Sequence, residues 1–370
     1  PPTSFVLPPA SYPLPSTSCM MYSLQPQGKL PGARVGHTCS YIPSSEHGEL
    51  GKLAVVGGAH PHGNITETIL LDLDKHTWCH PAWHGLKHRY EHTSFLLPKD
   101  NKHLWVFGGA NTSSNLNSMQ FLDVETRGVP PSPRTCHGAA ALVGDRLFLW
   151  GGGEKGSAPV RDPKLHVFDT VSHTWSQPHT SGNPPQPRQG HTMVAVESKV
   201  LIHGGMGCFF SSESMAWSEI LTEGDVPQGV ASHSAVSFGS LVYMFGGISF
   251  NVLKKTYCRH VALSSETLVW TLKQIRGPSP ASRLDFSMCL IPWKVHRDSS
   301  SSFTPRVLSE AGKIQDIDTK INLLRLSSQE SGDHSNRSEL GVNVIHLCFV
   351  FGGMDDKGNL FNDSAVIFIQ

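Results

Sequence analysis

Six short apolar runs, each closed by a pair of glycines, punctuate the chain: LAVV, LWVF, LFLW, VLIH, VYMF and CFVF precede Gly57-Gly58, Gly108-Gly109, Gly151-Gly152, Gly204-Gly205, Gly246-Gly247 and Gly352-Gly353. Their β-branched and aromatic side chains suit a buried, pleated strand better than a helix. A glycine pair after such a run marks a sharp exit where another backbone comes close. Successive pairs lie 51, 43, 53, 42 and 106 residues apart, which describes a repeat of roughly 50 residues with one long insertion.

Each repeat divides into four strands. In the third, Arg134-Thr135-Cys136-His137 opens the run GAAALV, a turn at Gly144-Asp145 leads into the strand that ends at the doublet, LHVFD follows, and Trp175 marks the last strand. Trp78, Trp217 and Trp270 hold equivalent places. A large aromatic on an outer strand fills the wedge between twisted sheets, so these tryptophans read as core. The openings recur as Arg34-Val-Gly-His37, Arg89-Tyr-Glu-His92, Arg134-Thr-Cys-His137 and Arg188-Gln-Gly-His191. The fifth keeps His233 without the arginine, and the sixth keeps Arg283 but has Phe286 in place of histidine.

The combination of apolar run and Gly-Gly, R-x-x-H opening and spaced tryptophan resembles the kelch family, and the resemblance covers about 95% of the chain. It implies an all-β fold, a six-bladed kelch β-propeller. CMMYSLQP resembles a fourth strand and DSAVIFIQ a third, so the ring is expected to close by pairing the N-terminal strand with the C-terminal blade, a device that removes exposed sheet edges. The expected domain is 19–370, preceded by a Pro/Ser-rich, disordered segment 1–18 and interrupted in blade six by a mostly disordered, Ser-rich insertion at 294–343. Ile314, Ile317, Ile321 and Leu324 in that insertion fall at helical spacing. Two blades count short. Gly205 to Trp217 is 12 residues against 23 from Gly152 to Trp175, which removes most of the third strand of blade four. Asp123 to Arg134 is 11 residues with no tryptophan, which removes the outer strand of blade two.

Composition narrows the chemistry. Lys plus Arg equals Asp plus Glu at 30 each, so no global field draws the chain to nucleic acid or anionic lipid. Eight cysteines stand singly with no C-x-x-C pair, as buried thiols of a reducing compartment do, and this outweighs the four N-x-S/T sequons at Asn64, Asn111, Asn336 and Asn362. No apolar stretch approaches the roughly 18 residues of a spanning helix. The chain begins at Pro1 rather than a methionine, which leaves room for an upstream segment. Gly151-x-Gly153-x-x-Gly156 matches a dinucleotide fingerprint as a string, but prolines and a strand follow it instead of a helix. The repeated histidines are spread around an axis and cannot converge on a metal. Cys136-His137 neighbours point to opposite faces of a strand, and no inward carboxylate pair recurs. No catalytic residue, cofactor or metal is expected.

Strings such as ARVGHTCSYIP, RYEHTSF, PPSPRT, GNPPQPRQGH and SMCLIPW narrow the resemblance to kelch-repeat Rab effectors. This implies a non-enzymatic adaptor of late-endosome to trans-Golgi transport that binds a GTP-loaded Rab GTPase, is cytoplasmic with peripheral attachment to endosomal membrane, and is monomeric. The alternative is a general kelch scaffold recognising an acidic peptide. Recognition is expected on the face of the openings and post-doublet loops, with Arg34, Arg89, Arg134, Arg188, Arg283, Phe209, Phe210, Phe250, Lys254 and Lys255 as candidates, beside Asn64, Asn111, Lys155, Arg161, Asp355 and Asp356. The five arginines have two readings: each ties a loop to carbonyls, or some stay free to grip carboxylates by bidentate bonds. The phenylalanines suit an apolar GTPase contact. The insertion leaves by the opposite face and would serve a kinase or second adaptor.

Overall fold

The computed structural model describes residues 18–369 except 66, 82–84, 98–99, 121–124, 136–140, 155–157, 205–207, 212–213, 228, 250–259, 277–279, 297–306, 309–313 and 316–341. Among the described residues there is no helix, and therefore none long and apolar enough to cross a membrane. The architecture is an all-β propeller of antiparallel up-and-down sheets. Repeat one folds as Thr38–Ile42, Lys52–Val56, Thr68–Asp72 and Thr77–Cys79. Repeats three and four repeat that order in Ala141–Val143 to Thr174–Ser176 and Thr192–Val196 to Ala216–Glu219. Among its described residues repeat two contributes three strands, Thr93–Leu97, Asp100–Phe107 and Met119–Gln120.

The largest sheet has nine strands and holds the main strands of repeats five and six with the N-terminal strand. Ser234–Phe238, Leu241–Phe245, His260–Ser264 and Val269–Arg276 form its first half. Ser287–His296, Val342–Phe351 and Ser364–Phe368 form the second, where Ser18–Leu24 adds antiparallel to Ser364–Phe368 in the register Met21 to Ile367. The same N-terminal strand runs parallel to Gln274–Arg276 and joins the two halves.

First strands line the axis. Thr38–Ile42 lies beside both Thr93–Leu97 and Ser287–His296, and Thr192–Val196 beside both Ala141–Val143 and Ser234–Phe238. Second strands are buried on both faces, since each sheet is covered by a neighbour on either side: Leu53, Ala54, Val55 and Val56 are all 0% exposed. That explains why these runs are continuous apolar stretches instead of alternating ones. Each tryptophan then packs against the residue that precedes the doublet of the previous repeat. Trp78 meets Phe351 at 5.8 Å between centroids, Trp175 meets Phe107 at 4.9 Å, Trp217 meets Trp150 at 5.7 Å and Trp270 meets His203 at 5.4 Å.

Two expectations change. Repeat four keeps its third strand, Cys208–Ser211, hydrogen-bonded to both Lys199–His203 and Ala216–Glu219. The shortening falls on the loop after the doublet, because a sheet that lost an interior strand would strand a row of backbone donors, whereas a loop can be lost without that cost. In the insertion, Ile314–Gln315 pairs antiparallel with Val307–Leu308, so no helix begins at Ile314, while Ile317, Ile321 and Leu324 lie outside the described residues. The flanking hairpin runs out to His296 opposite Val342.

A further layer was not anticipated. Before four of the six openings, a short segment lies parallel on the outer strand: Gln27 beside Thr77, Arg127–Gly128 beside Thr174–Trp175, Ser181 beside Ala216, and Glu223–Gly224 beside Val269–Trp270. Gly28, Gly128, Gly182 and Gly224 sit on the tryptophan carbonyls with positive φ, and a Cβ on Gly128 or Gly182 would lie 2.2 Å from that oxygen. Gly182→Ala therefore combines left-handed strain with a backbone clash and is expected to cost about 2 kcal/mol or more in denaturant unfolding. Gly144→Ala has φ +58 but open space around it, so about 1 kcal/mol is expected there. Equal losses at the two positions would mean that the clash does not matter.

Candidate functional site

The openings and the glycine doublets meet on one face, where strand direction places the loops after each second strand beside the entry to each first strand. In five repeats an arginine stitches this face together. Its main-chain oxygen accepts the amide of the second doublet glycine of the preceding repeat: Gly58 to Arg89 at 2.9 Å, Gly109 to Arg134 and Gly152 to Arg188 at 3.0 Å, Gly247 to Arg283 at 2.9 Å, and Gly353 to Arg34 at 2.9 Å. The last bond joins repeat six to repeat one. Its side chain turns into its own repeat, where Nη1 donates to the first doublet glycine: Gly57, Gly108 and Gly151 at 3.1, 3.0 and 3.0 Å, Gly204, and Gly352 at 2.9 Å.

Nη2 reaches the loop after the doublet. Arg34 pairs with Glu67 at 2.7 Å, Arg134 with Asp162 at 3.4 Å, and Arg283 grips both oxygens of Asp363 at 2.9 Å, while Arg89 uses Ser118 and Gln120. Arg34, Arg89 and Arg134 are 0% exposed and Arg283 is 1%. Burial pulls the Arg89 guanidinium down to about 10; Arg34 is also lowered by burial, with Glu67 opposing the change. Of the two readings of the arginines, the geometry selects the internal one for these four: their donor forks are spent on carbonyls and loop acceptors, so they do not offer the rim a row of free cations. Arg188 is half-buried and makes the same bonds to Gly204 and to the Gln186 carbonyl.

The histidines work alongside. His37 Nε2 donates to the Phe351 carbonyl at 3.1 Å, His191 Nε2 lies 3.1 Å from the Trp150 carbonyl, and His233 Nε2 lies 3.2 Å from His203 Nδ1. His92 Nε2 contacts Thr38 Oγ1 at 2.9 Å. Each thus ties its first strand to the preceding repeat. Burial, aided by the nearby arginines, drives His37 and His92 down to about 3, and burial takes His203 and His260 to about 4. These rings are neutral at physiological pH, and no group of three or more His, Cys, Asp or Glu that could hold a metal occurs among the described residues.

In five openings, among the described residues, the residue just before the histidine or Phe286 position is left-handed: Gly36, Glu91, Gly190, Ser232 and Asp285 have φ from 51 to 66. Their backbones bond in sequence around the axis, Glu91 to Gly36 at 2.6 Å, Gly36 to Asp285 at 3.0 Å, Asp285 to Ser232 at 3.0 Å and Ser232 to Gly190 at 2.7 Å.

Other candidates are placed as follows. Phe209 and Phe210 are strand residues, paired with Leu201 and Ser218 and with Val200 and Trp217, so they stand in the third strand and not in the rim loop expected for them. Phe250, Lys254, Lys255 and Lys155 lie outside the described residues. Arg161, Asp355 and Asp356 are in rim loops, and Asn111 caps its own loop through the amides of Ser113 and Ser114. Glu67, Asp162, Asp363 and the linker glycines were missed. The glycines carried a legible signal, standing six residues before Arg34, Arg134 and Arg188. The carboxylates carried a weaker one, each two residues after the apolar Ile65, Val160 or Phe361 that bonds back to its doublet.

Two comparisons with known proteins bear on this face. Residues 36–247 and 115–296 match the sequence profile of the KLHDC2/KLHL20/DRC7 Kelch-repeats domain. The chain is 44% identical over 94% of its length to the mouse Rab9 effector protein with kelch motifs, covering 93% of that protein. It is 43% identical to the human protein of that name, over 94% of this chain and 95% of the other, and 41% identical to the Xenopus laevis one, over 99% of both.

Replacing a stitching arginine strands its acceptors, so Arg134→Met is expected to cost about 3 kcal/mol or more, while Arg161→Met on the exposed rim stays within about 0.5 kcal/mol, read by urea unfolding. Acid should act through the histidines. The unfolded chain protonates them near pH 6.5 and the folded chain only near 3 to 4, so below 6.5 the unfolded state binds more protons. Stability is then complete above about pH 6.5 and falls as pH drops toward 4, by about 1.4 kcal/mol per pH unit per ring. His92→Gln should flatten that slope; an unchanged slope across pH 4–6 would contradict the assignment.

Proposed function

The chain belongs to the kelch-repeat family, and we propose that it is a non-enzymatic effector that binds a Rab GTPase in its GTP-loaded state and supports endosome to trans-Golgi transport. The observation that carries this reading is that likeness to proteins named as Rab9 effectors runs along 94 to 99% of the chain and takes in every repeat. In this reading the nine-stranded sheet counts as two blades, giving six, with Ser18–Leu24 as the closing strand of the last. The GTPase seats on the doublet face, where loops such as 59–67, 110–118 and 354–363 rise from stitched bases and present a fixed surface. Phe250, Lys254 and Lys255 are assigned to this contact by their place after a doublet in the sequence. The insertion on the opposite face serves a second partner such as a kinase or another adaptor. Peripheral, cytoplasmic attachment to endosomal membrane follows from the GTPase being the membrane-bound member of the pair.

The test is capture of the full chain by immobilised Rab9 loaded with a non-hydrolysable GTP analogue or with GDP. At least tenfold stronger capture by the GTP-loaded form is expected. Equal capture would remove the effector reading, and no capture by either form would leave a kelch scaffold with a different partner.

A further inference from the structure

We propose that the outer wall of repeat five, where the chain crosses over from repeat four, is a docking surface for a partner-protein segment in which lysines or arginines flank aliphatic side chains. Leu221, Val226 and Val269 are exposed there by 89, 51 and 37%, and Leu221 is the most exposed of the large hydrophobic residues described. Ile220, Leu268 and Leu272 lie half-buried on the same segments. The exposed charged residues of segments 216–226 and 264–273 are Glu219, Glu223, Asp225 and Glu266, all acidic, while the one lysine, Lys273, is buried. The charge is one-sided along the sequence as well. Between Lys199 and Lys254 stand the acids Glu213, Glu219, Glu223 and Asp225 and no lysine or arginine.

The backbone holds these side chains outward. Trp270 Nε1 donates to Thr222 Oγ1 at 3.1 Å, so alternation along the segment turns Leu221 and Glu223 away from the sheet. The Glu223 amide donates to the Leu268 carbonyl at 3.1 Å, the Asp225 amide donates to the Trp270 carbonyl at 3.0 Å, and the Asp225 carboxylate accepts the Leu272 amide at 2.9 Å. The other repeats show that aliphatic residues are no requirement of the fold here. Three places before the linker glycine, where repeat five has Leu221, repeats one, three and four have Gln25, Glu125 and His179. Immediately before the outer tryptophan, where repeat five has Val269, they have Thr77, Thr174 and Ala216.

The partner's chemistry follows from charge complementarity. An acidic rim with no exposed cation repels nucleic acid and anionic bilayers alike. A metal ion would leave the aliphatic side chains in water. A protein segment with basic flanks meets both features: its aliphatic side chains cover Leu221, Val226 and Val269, and its cations stay at the polar rim, where they steer approach and orientation. The turn before Val269 joins a third strand to a fourth, which places this wall toward the end of the sheet opposite the glycine doublets. The surface therefore does not depend on the Rab reading, and both partners can be bound at once.

The experiment is fluorescence-anisotropy titration of the labelled peptide acetyl-KLKKLLKK-amide with the full chain at low salt, with acetyl-ELEELLEE-amide and acetyl-KSKKSSKK-amide as companions. Leu221→Ser/Val226→Ser removes the aliphatic contact and Glu219→Gln/Glu223→Gln removes charge. Val129→Ser/Val171→Ser, which alters two exposed valines of repeat three, is the control. Melting curves establish that each variant is folded. The wild type and the control are expected to bind the basic aliphatic peptide, the serine variant about tenfold more weakly and the glutamine variant about fivefold more weakly, with both companions at least about tenfold weaker on the wild type. Undiminished affinity in either variant, equal binding of the acidic peptide, or no binding to the wild type would overturn the surface. Co-sedimentation with phosphatidylserine vesicles that is lost in Leu221→Ser/Val226→Ser would overturn it as well, in favour of a membrane contact.

Discussion

The arginine at the opening of a repeat is the constraint on which the rest depends, because one residue satisfies two neighbours at once. Its carbonyl takes the amide of the preceding doublet and its guanidinium takes the carbonyl of its own. A propeller sheet touches the next one mostly through side-chain packing, which has no direction. The arginine adds direction: it fixes how far each sheet is rotated and how high it stands against its neighbour. Burial of the guanidinium is tolerable only because each donor has an acceptor in place, and this is why the doublets must be glycines, whose positive φ turns amide and carbonyl toward opposite sides. Glu67, Asp162 and Asp363 then extend the same arginine into the loop above, so the loops inherit the rigidity of the ring.

Packing follows from that frame. Aromatic residues before the doublets and tryptophans on outer strands fill the widening wedge away from the axis, as Phe107 with Trp175 and Trp150 with Trp217 do. The linker glycines lock each tryptophan strand from outside by sitting on its carbonyl. Repeat two has no such tryptophan, and its junction with repeat one is carried by the smaller Ala54, Val56, Leu70 and Val106.

Much of this was legible in the chain. Apolar runs, doublets and tryptophans gave the repeat and the strand order because each reports a local requirement: burial on both faces, a left-handed exit, a wedge to fill. The third strand of repeat four was misjudged because counting between landmarks cannot tell a lost strand from a lost loop. Only the pairing of Phe210 with both Val200 and Trp217 decides it. The role of the arginines stayed open in the sequence because the same residue type serves carbonyls and carboxylates alike, and what separates the two is burial, a property of the assembled ring. The run of left-handed backbones bonded around the axis was invisible for the same reason. Asp285 is far from Gly36 in sequence and comes beside it only when repeat six returns to repeat one.

A ring whose loops stand on stitched bases suits a protein that recognises other proteins, since recognition then costs little ordering at the moment of binding. The most direct test is native-state hydrogen exchange at the doublet amides that donate to the arginine carbonyls, including that of Gly353, which spans the closure. The ring predicts that Gly353 exchanges as slowly as Gly109 and Gly152, with all of them requiring global unfolding. Exchange at Gly353 faster by orders of magnitude than at the others would show an open array in place of a closed ring.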